Sequence, residues 1–194
     1  MKLIIASNNA HKLEEIRAIL GGRFEEILSL REAGIDHETV EDGATFAENA
    51  AKKAREITEI SGCCALADDS GLCVDALDGA PGIYSARFSG VHGDDAANIR
   101  LLLEKLRGVT ERSAHFCCAM ALSRPDGSLV EAEGRFYGQI AETPAGEGGF
   151  GYDPVFYLPE YDMTVAQLGT DVKNQISHRH AALMALLEKL EEEL

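Results

Sequence analysis

An apolar run at residues 63–67, Cys-Cys-Ala-Leu-Ala, meets four polar or small residues, Asp68-Asp69-Ser70-Gly71. A run that is apolar at every position suits a strand covered on both faces, as in the parallel sheets of α/β proteins. In such folds, strand ends that feed loops carry much of the chemistry, because a rigid element holds side chains that the loop exposes. The stretch 65–72 therefore predicts a buried strand that stops at a turn bearing two carboxylates. Adjacent carboxylates repel each other unless a cation, a donor or water stands between them. Asp, Ser and Gly also form ordinary solvated turns, so this stretch alone leaves both readings open.

The remainder of the chain narrows the choice. Eighteen basic and 33 acidic residues give a net charge of −15. That balance excludes a broad electrostatic surface for DNA or RNA, while leaving room for a local phosphate site. No apolar run approaches the roughly 20 residues that span a bilayer, and the run at 3–6 is too short for a signal peptide. No nucleic-acid or membrane partner is expected. Five cysteines, with adjacent pairs at Cys63-Cys64 and Cys117-Cys118, do not form a disulfide framework. They predict buried thiols in a reducing cytoplasm.

Hydrophobic periodicity places the elements. Residues 2–6 read as a first strand, and Ser7-Asn8-Asn9 supplies cap chemistry for a helix over 12–20 with Leu13, Ile16, Ile19 and Leu20 on one stripe. A second strand is expected over 24–30. Thr45 and Glu48 have capping-box spacing for a helix over 45–61. Asn49 and Lys53 fall on that helix's core stripe, whereas Glu48 and Glu56 flank Lys52 and account for it as a surface ion pair. A lysine on a buried stripe is costly unless its ammonium reaches a cleft or a partner, so Lys53 is expected to face a site. Residues 73–77 suggest another strand, 78–93 a long loop, 94–106 a helix, and 113–123 with 128–137 a hairpin around Arg124-Pro-Asp-Gly127. Ser177 caps a final helix with Leu183, Leu186, Leu187, Leu190 and Leu194 on its stripe.

Several pieces suit phosphate. A strand that ends in Ser7-Asn8-Asn9-Ala10-His11-Lys12 and enters a helix turns unpaired backbone N–H groups toward an anion. Lys173, His178 and Arg179 gather near the start of the last helix. Gly146-Glu-Gly148-Gly-Phe-Gly151 formally matches G-x-G-x-x-G, but Tyr152-Asp153-Pro154 follows where a dinucleotide fingerprint requires a helix. Phe150 among glycines, with Asp153 close by, suits a planar ring instead. Glu41-Asp42 and Asp68-Asp69 are acidic spots, and carboxylates with phosphate oxygens and water are ligands that Mg²⁺ prefers. Neither a Walker loop nor a zinc signature is present. These pieces point to a Mg²⁺-dependent enzyme acting on a nucleoside polyphosphate.

Six motifs in this order resemble the inosine/xanthosine triphosphate pyrophosphatase family: Ser7-Asn-Asn-Ala-His-Lys12, Thr45-Phe-x-Glu-Asn-Ala50, Ala67-Asp-Asp-Ser-Gly-Leu72, Gly79-Ala-Pro-Gly-Ile-Tyr-Ser-Ala-Arg87, Gly148-Gly-Phe-Gly-Tyr-Asp-Pro154 and Ile176-Ser-His-Arg179. The resemblance spans nearly the whole chain. It implies an α/β fold, with a long curved mixed β-sheet flanked by helices and two lobes around a central active-site cleft. Residues 1–194 would form a single two-lobed catalytic domain, usually as a homodimer. It implies hydrolysis of non-canonical purine triphosphates (ITP, dITP, XTP) to monophosphate and pyrophosphate. On this pattern Asp69 is catalytic and, with Glu41, a Mg²⁺ ligand. Ser7, Asn8, Asn9, Ala10, His11, Lys12, Lys53, Ser70 and Lys173 hold the triphosphate, and Phe150, Gly151, Tyr152, Asp153, His178 and Arg179 hold the base. A purine nucleotide-binding or sensing module without turnover is the competing expectation.

Overall fold

The computed structural model describes residues 2–192, apart from the side chains of His11, Thr170 and Asp171. The expectations for the His11 side chain and for Leu194 lie outside the described residues. Among the described residues, seven strands form one mixed sheet in the order β2-β1-β3-β4-β5-β6-β7. β1 (Lys2–Ile5) pairs in parallel with both β2 (Glu26–Ser29) and β3 (Cys64–Val74). β4 (Ser113–Ser123) and β5 (Leu129–Ile140) are joined by the short turn at Arg124, where Gly127 N–H donates to Arg124 O. β6 (Phe156–Leu158) and β7 (Met163–Thr164) continue the sheet in antiparallel pairing from β5.

The helices are α1 (Ala10–Leu20), α2 (Phe46–Ser61), α3 (Asp95–Lys105), α4 (Thr170–Ile176) and α5 (His178–Glu192). The chain divides into two compact units. Unit 1 takes residues up to Asp69, Cys118–Gly134 and the chain from Arg179 onward, and unit 2 takes Ser70–Cys117 and Arg135–His178.

In unit 1 the pleat of the strands sorts side chains onto two helical layers. Leu3 and Ile5, Cys64 and Leu66, and Cys118, Met120 and Leu122 share one core with Leu13, Ile16 and Leu20 of α1 and Leu183, Leu186 and Leu187 of α5. The intervening residues turn the other way. Ala67, Ala119 and Ala121 meet Ala50, Ala51 and Ala54 of α2, while Ile4 and Ala65 meet Ile57. Alanine on both sides of that contact brings α2 close to the sheet. The two faces follow from the period of 2 along a strand.

Unit 2 has its own core. Leu72 and Val74 of β3 pack with Ile99, Leu102 and Leu106, and with Tyr152, Val155 and Phe156. The Phe156 ring lies 4.5 Å from Phe116 and 5.5 Å from Phe136. It also lies against Gly138, where a Cβ would come within 2.6 Å of its Cε1.

Three expectations are corrected here. The strand does not stop at Asp68, and residues 73–77 do not begin a separate one: β3 runs unbroken through Asp68-Asp69-Ser70-Gly71 to Val74. Turn-forming composition is a local preference, and pairing within the sheet overrides it. The loop 78–93 contains a short 3-10 helix, Gly82–Arg87, whose Ser85 Oγ accepts from Leu72 N–H at 2.9 Å and donates to Gly82 O. Lys52 is not held by its helical neighbours, since its Nζ lies 2.6 Å from Asp42 Oδ1 and donates to Val40 O, while Glu56 takes His37 and Thr39.

Other local expectations match in part. Thr45 caps α2 by accepting from Glu48 N–H, although Glu48 reaches back to Ala44 N–H, one residue earlier than a capping box. None of the five cysteines is in a disulfide, and Cys64, Cys117 and Cys118 are buried while Cys63 and Cys73 are half-buried. No described helix is long and apolar enough to cross a membrane.

Candidate active site

The same pleat that builds the core of unit 1 separates the two carboxylates at its edge. Cys64, Leu66 and then Asp68 face α1 and α5, whereas Ala65, Ala67 and then Asp69 face α2. Asp68 is 4% exposed. Its Oδ2 lies 2.8 Å from Lys12 Nζ of α1 and 3.5 Å from Arg179 Nε of α5. Arg179 is likewise buried and donates a hydrogen bond from Nη1 to Glu15 Oε2 at 2.7 Å. Burial alone would push the Asp68 carboxyl up, but Lys12, Arg179 and Lys53 outweigh it and hold it well below the usual carboxylate range. Burial also disfavours the Arg179 cation, and Asp68 and Glu15 more than offset that. Asp68 and Arg179 thus hold each other in their charged forms.

Asp69 has different company. Its Oδ2 accepts from Asn49 Nδ2 at 3.0 Å, and its Oδ1 lies 3.9 Å from Lys53 Nζ, which bonds Glu41 Oε1 at 2.7 Å. Burial raises the Asp69 pKa, and the nearby Glu41 adds to it, with Lys53 and Asn49 offsetting only part. Burial opposes the Lys53 cation, but Asp69, Asp68 and Glu41 keep its pKa above the ordinary lysine value. The two neighbouring carboxylates are thus pushed in opposite directions, an arrangement able to divide acid–base from structural work.

Asn49 is a site residue that the expected set lacks. Besides holding Asp69, its Oδ1 accepts from Gly43 N–H at 2.8 Å, and a Cβ on Gly43 would come within 2.7 Å of that oxygen. The available signal was its polar side chain on an apolar stripe. Glu15 is also missing from the expected set; one turn from Lys12 in α1, it gave no local sign of a partner 164 residues away.

The first loop is organised by its own side chains. Ser7 Oγ accepts from Asn9 N–H, Asn9 Oδ1 from Lys12 N–H, and Asn8 Oδ1 from Arg31 N–H at 3.0 Å. Ala10 opens α1. Ser70 follows Asp69 in β3 and is half-buried.

In unit 2 the glycine-rich loop wraps a buried carboxylate. Asp153 Oδ2 accepts from Phe150 N–H at 2.9 Å and from Lys173 Nζ at 2.5 Å. Gly149, at φ +75°, leaves the room: a Cβ there would sit 2.0 Å from the same oxygen. The Lys173 ammonium lies 4.2 Å from the centre of the Phe150 ring, which is 41% exposed. Lys173 therefore belongs with the aromatic loop in unit 2. Tyr152 is buried, and its hydroxyl donates to Ser85 O at 2.9 Å. His178 stacks on Phe116 at 5.0 Å.

The matches to known proteins follow the same span. A model of the Ham1 family matches residues 3–189. The chain belongs to the Ham1 family. A relative described as dITP/XTP pyrophosphatase from Clostridium perfringens is 51% identical, over 97% of each chain. One of the same description from Desulforamulus reducens is 50% identical over 98% of this chain and 96% of its own. Among solved structures, the Staphylococcus aureus Ham1 protein covers all of both chains with a TM-score of 0.92 and 42% identity. These Ham1 relatives match the mixed sheet and both units that carry the clusters above.

Proposed function

We propose that this chain hydrolyses non-canonical purine nucleoside triphosphates, dITP, ITP and XTP, to the monophosphate and pyrophosphate. The observation that carries the reading is the divided carboxylate pair: Asp68 is locked to a buried arginine and a half-buried lysine, while Asp69 is a raised, half-enclosed carboxylate beside Lys53 and Glu41. The description borne by the close relatives as dITP/XTP pyrophosphatases supports the substrate class.

Among the described residues no group of three His, Cys, Asp or Glu side chains forms a metal cage. Mg²⁺ does not require one, since it binds through one or two carboxylates with the remaining positions filled by phosphate oxygens and water. Glu41 and Asp69 fit that need, because the Lys53 ammonium already marks the ground beside them as one that favours a cation. Mg²⁺ held there supplies charge neutralisation at the phosphates.

In the reaction, water attacks the α-phosphorus and the bond to the bridging oxygen breaks, with the electron pair leaving on pyrophosphate. Asp69, whose raised pKa suits proton transfer, orients the water and takes its proton. Asn49 fixes the Asp69 carboxylate by its bond to Oδ2. Lys53 and Lys12 offset negative charge as it grows on the leaving oxygens, with the Ser7–Lys12 loop and Ser70 on the triphosphate. Phe150 stacks on the base, and Gly151, Tyr152, Asp153 and His178 of unit 2 complete its surroundings, with Lys173 assigned to them rather than to the triphosphate because its ammonium lies on the Phe150 ring and Asp153. A site that donates to a 6-keto oxygen and accepts from N1–H leaves buried groups unpaired when adenine enters, which discriminates strongly.

A cytoplasmic homodimer completes the reading, supported by the family resemblance. Sedimentation of the purified protein tests the dimer. Incubation with ITP, XTP, dITP, ATP and GTP, with and without Mg²⁺, tests the chemistry. Monophosphate with pyrophosphate from ITP or XTP, only with Mg²⁺, is the expected outcome. Diphosphate with orthophosphate would overturn it, and binding without products would make the chain a sensing module.

A further inference from the structure

Phe150 stands between two glycines, so little in its local chain fixes where its ring points. Both peptide planes that flank it are nevertheless pinned. Its own N–H donates to Asp153 Oδ2, and the N–H of the next residue, Gly151, donates to Asp95 Oδ2 at 2.8 Å. Peptide units are planar, so these two bonds set the orientation of the backbone on either side of the Phe150 Cα. The first bond is internal to the loop. The second reaches the first turn of α3, 56 residues earlier in the chain.

Asp95 is not needed to cap α3. Asp94 occupies the N-cap, and its Oδ1 accepts from Ala97 N–H at 2.9 Å. An acidic residue in a first turn is favourable for the helix dipole, but this carboxylate is directed at a loop amide. In that position the Asp95 charge also lies near Tyr152, the residue after Gly151, whose pKa is raised by burial first and by Asp95 second.

We propose that Asp95 is a positioning residue for the base-stacking loop, holding the Phe150–Gly151 peptide so that the Phe150 ring is presented to the purine. The inference rests on the function proposed above and assigns Asp95 no contact with substrate. Loss of the acceptor leaves a loop whose ring samples several directions, and ordering it then falls to the substrate. Affinity drops while the chemistry, set by residues of unit 1, holds its rate.

Two variants test it with XTP and Mg²⁺. Asp95→Ala is expected to raise KM about tenfold, the scale of one lost charge-assisted hydrogen bond, with kcat within twofold of the parent protein. Asp95→Asn retains an oxygen that accepts the Gly151 N–H and is expected to restore most of the KM. Hydrogen exchange at the Gly151 amide is expected to quicken in Asp95→Ala alone. If Asp95 served only the α3 dipole, Asn and Ala would behave alike, KM and Gly151 exchange would stay at parental values, and the proposal would be overturned. Failure of the parent protein to release pyrophosphate from XTP would instead remove the function on which the proposal rests.

Discussion

The two candidate clusters are held by opposite means. In unit 1, charged side chains hold one another: Asp68 with Lys12 and Arg179, Arg179 with Glu15, and Lys53 with Glu41 and Asp69. Asp68 and Asp69 stand on β3, Lys12, Glu15, Lys53 and Arg179 on helices, and Glu41 on the segment that precedes α2. In unit 2, backbone amides of a glycine-rich loop are held by carboxylates, and the loop leaves an aromatic ring half in solvent. A phosphate chain offers charge at fixed spacing, which rigid charged groups match with little reorganisation. A purine offers a flat face and a few edge groups, which a ring and a shaped loop match. Damage to unit 1 should therefore appear in turnover or folding, and damage to the loop of unit 2 in substrate affinity.

The sharpest break in that pattern is expected at Asp69. Asp69→Asn keeps the shape and the Asn49 contact but removes the proton acceptor. Turnover of XTP should fall by about 10²- to 10⁴-fold, while the unfolding midpoint stays close to that of the parent protein. Near-normal turnover would take Asp69 out of its assigned role. Its neighbour should fail differently. Asp68→Asn leaves Lys12 and Arg179 without their shared carboxylate, and an uncompensated buried charge costs about 3–5 kcal/mol. With Glu15 still on Arg179, we expect about 3 kcal/mol of lost stability, read by urea unfolding. Stability equal to the parent protein's would mean that the Asp68 pairing is dispensable.

How far these roles were legible in the sequence differs between the two units. The period of 2 along a strand puts adjacent Asp68 and Asp69 on opposite faces, and the motif resemblance put Asp69 with Glu41 and set Lys53 on the triphosphate. The strand's continuation past Gly71 was hidden, because turn-forming residues give the same local signal in an extended strand paired on the sheet. Lys52 misled for a related reason: helical spacing offered Glu48 and Glu56, yet the chain brought Asp42 to it from the preceding segment. In unit 2, Lys173 and Asp153 lie 20 residues apart, and nothing in either segment records their pairing. Asp95 looked like one acidic residue at a helix start. Periodicity reports which face a residue occupies, but not which loop will settle against it.

The loop's own test is milder. Phe150→Ala removes the half-exposed ring without opening a core. Base–aromatic stacking is worth about 1–3 kcal/mol, so KM for XTP should rise about tenfold or more, with kcat and the unfolding midpoint nearly unchanged. A loss of turnover equal to that of Asp69→Asn would erase the division between the clusters.

The smallest effect sharpens the reason that charge dominates unit 1 only where water is excluded. Glu32 repeats the chemistry of Asp68 at the surface. It accepts from the Ser29 N–H at 2.7 Å and from the Ser29 hydroxyl at 2.8 Å, and it pairs with Arg17 of α1. Those partners, the Ser29 amide first, lower its pKa from 4.5 to about 2. A carboxylate whose pKa is lower in the folded state stabilises the fold above its unfolded value, here about 4.5. That contribution is lost as pH falls from there toward 2. Urea unfolding of the parent protein and of Glu32→Gln should therefore differ slightly at pH 6, and the gap should narrow by pH 3. Glu32 keeps nearly half of its side chain in solvent, where water and salt screen the pair. A gap at pH 6 as large as that of Asp68→Asn would show that burial is not what separates the two carboxylates.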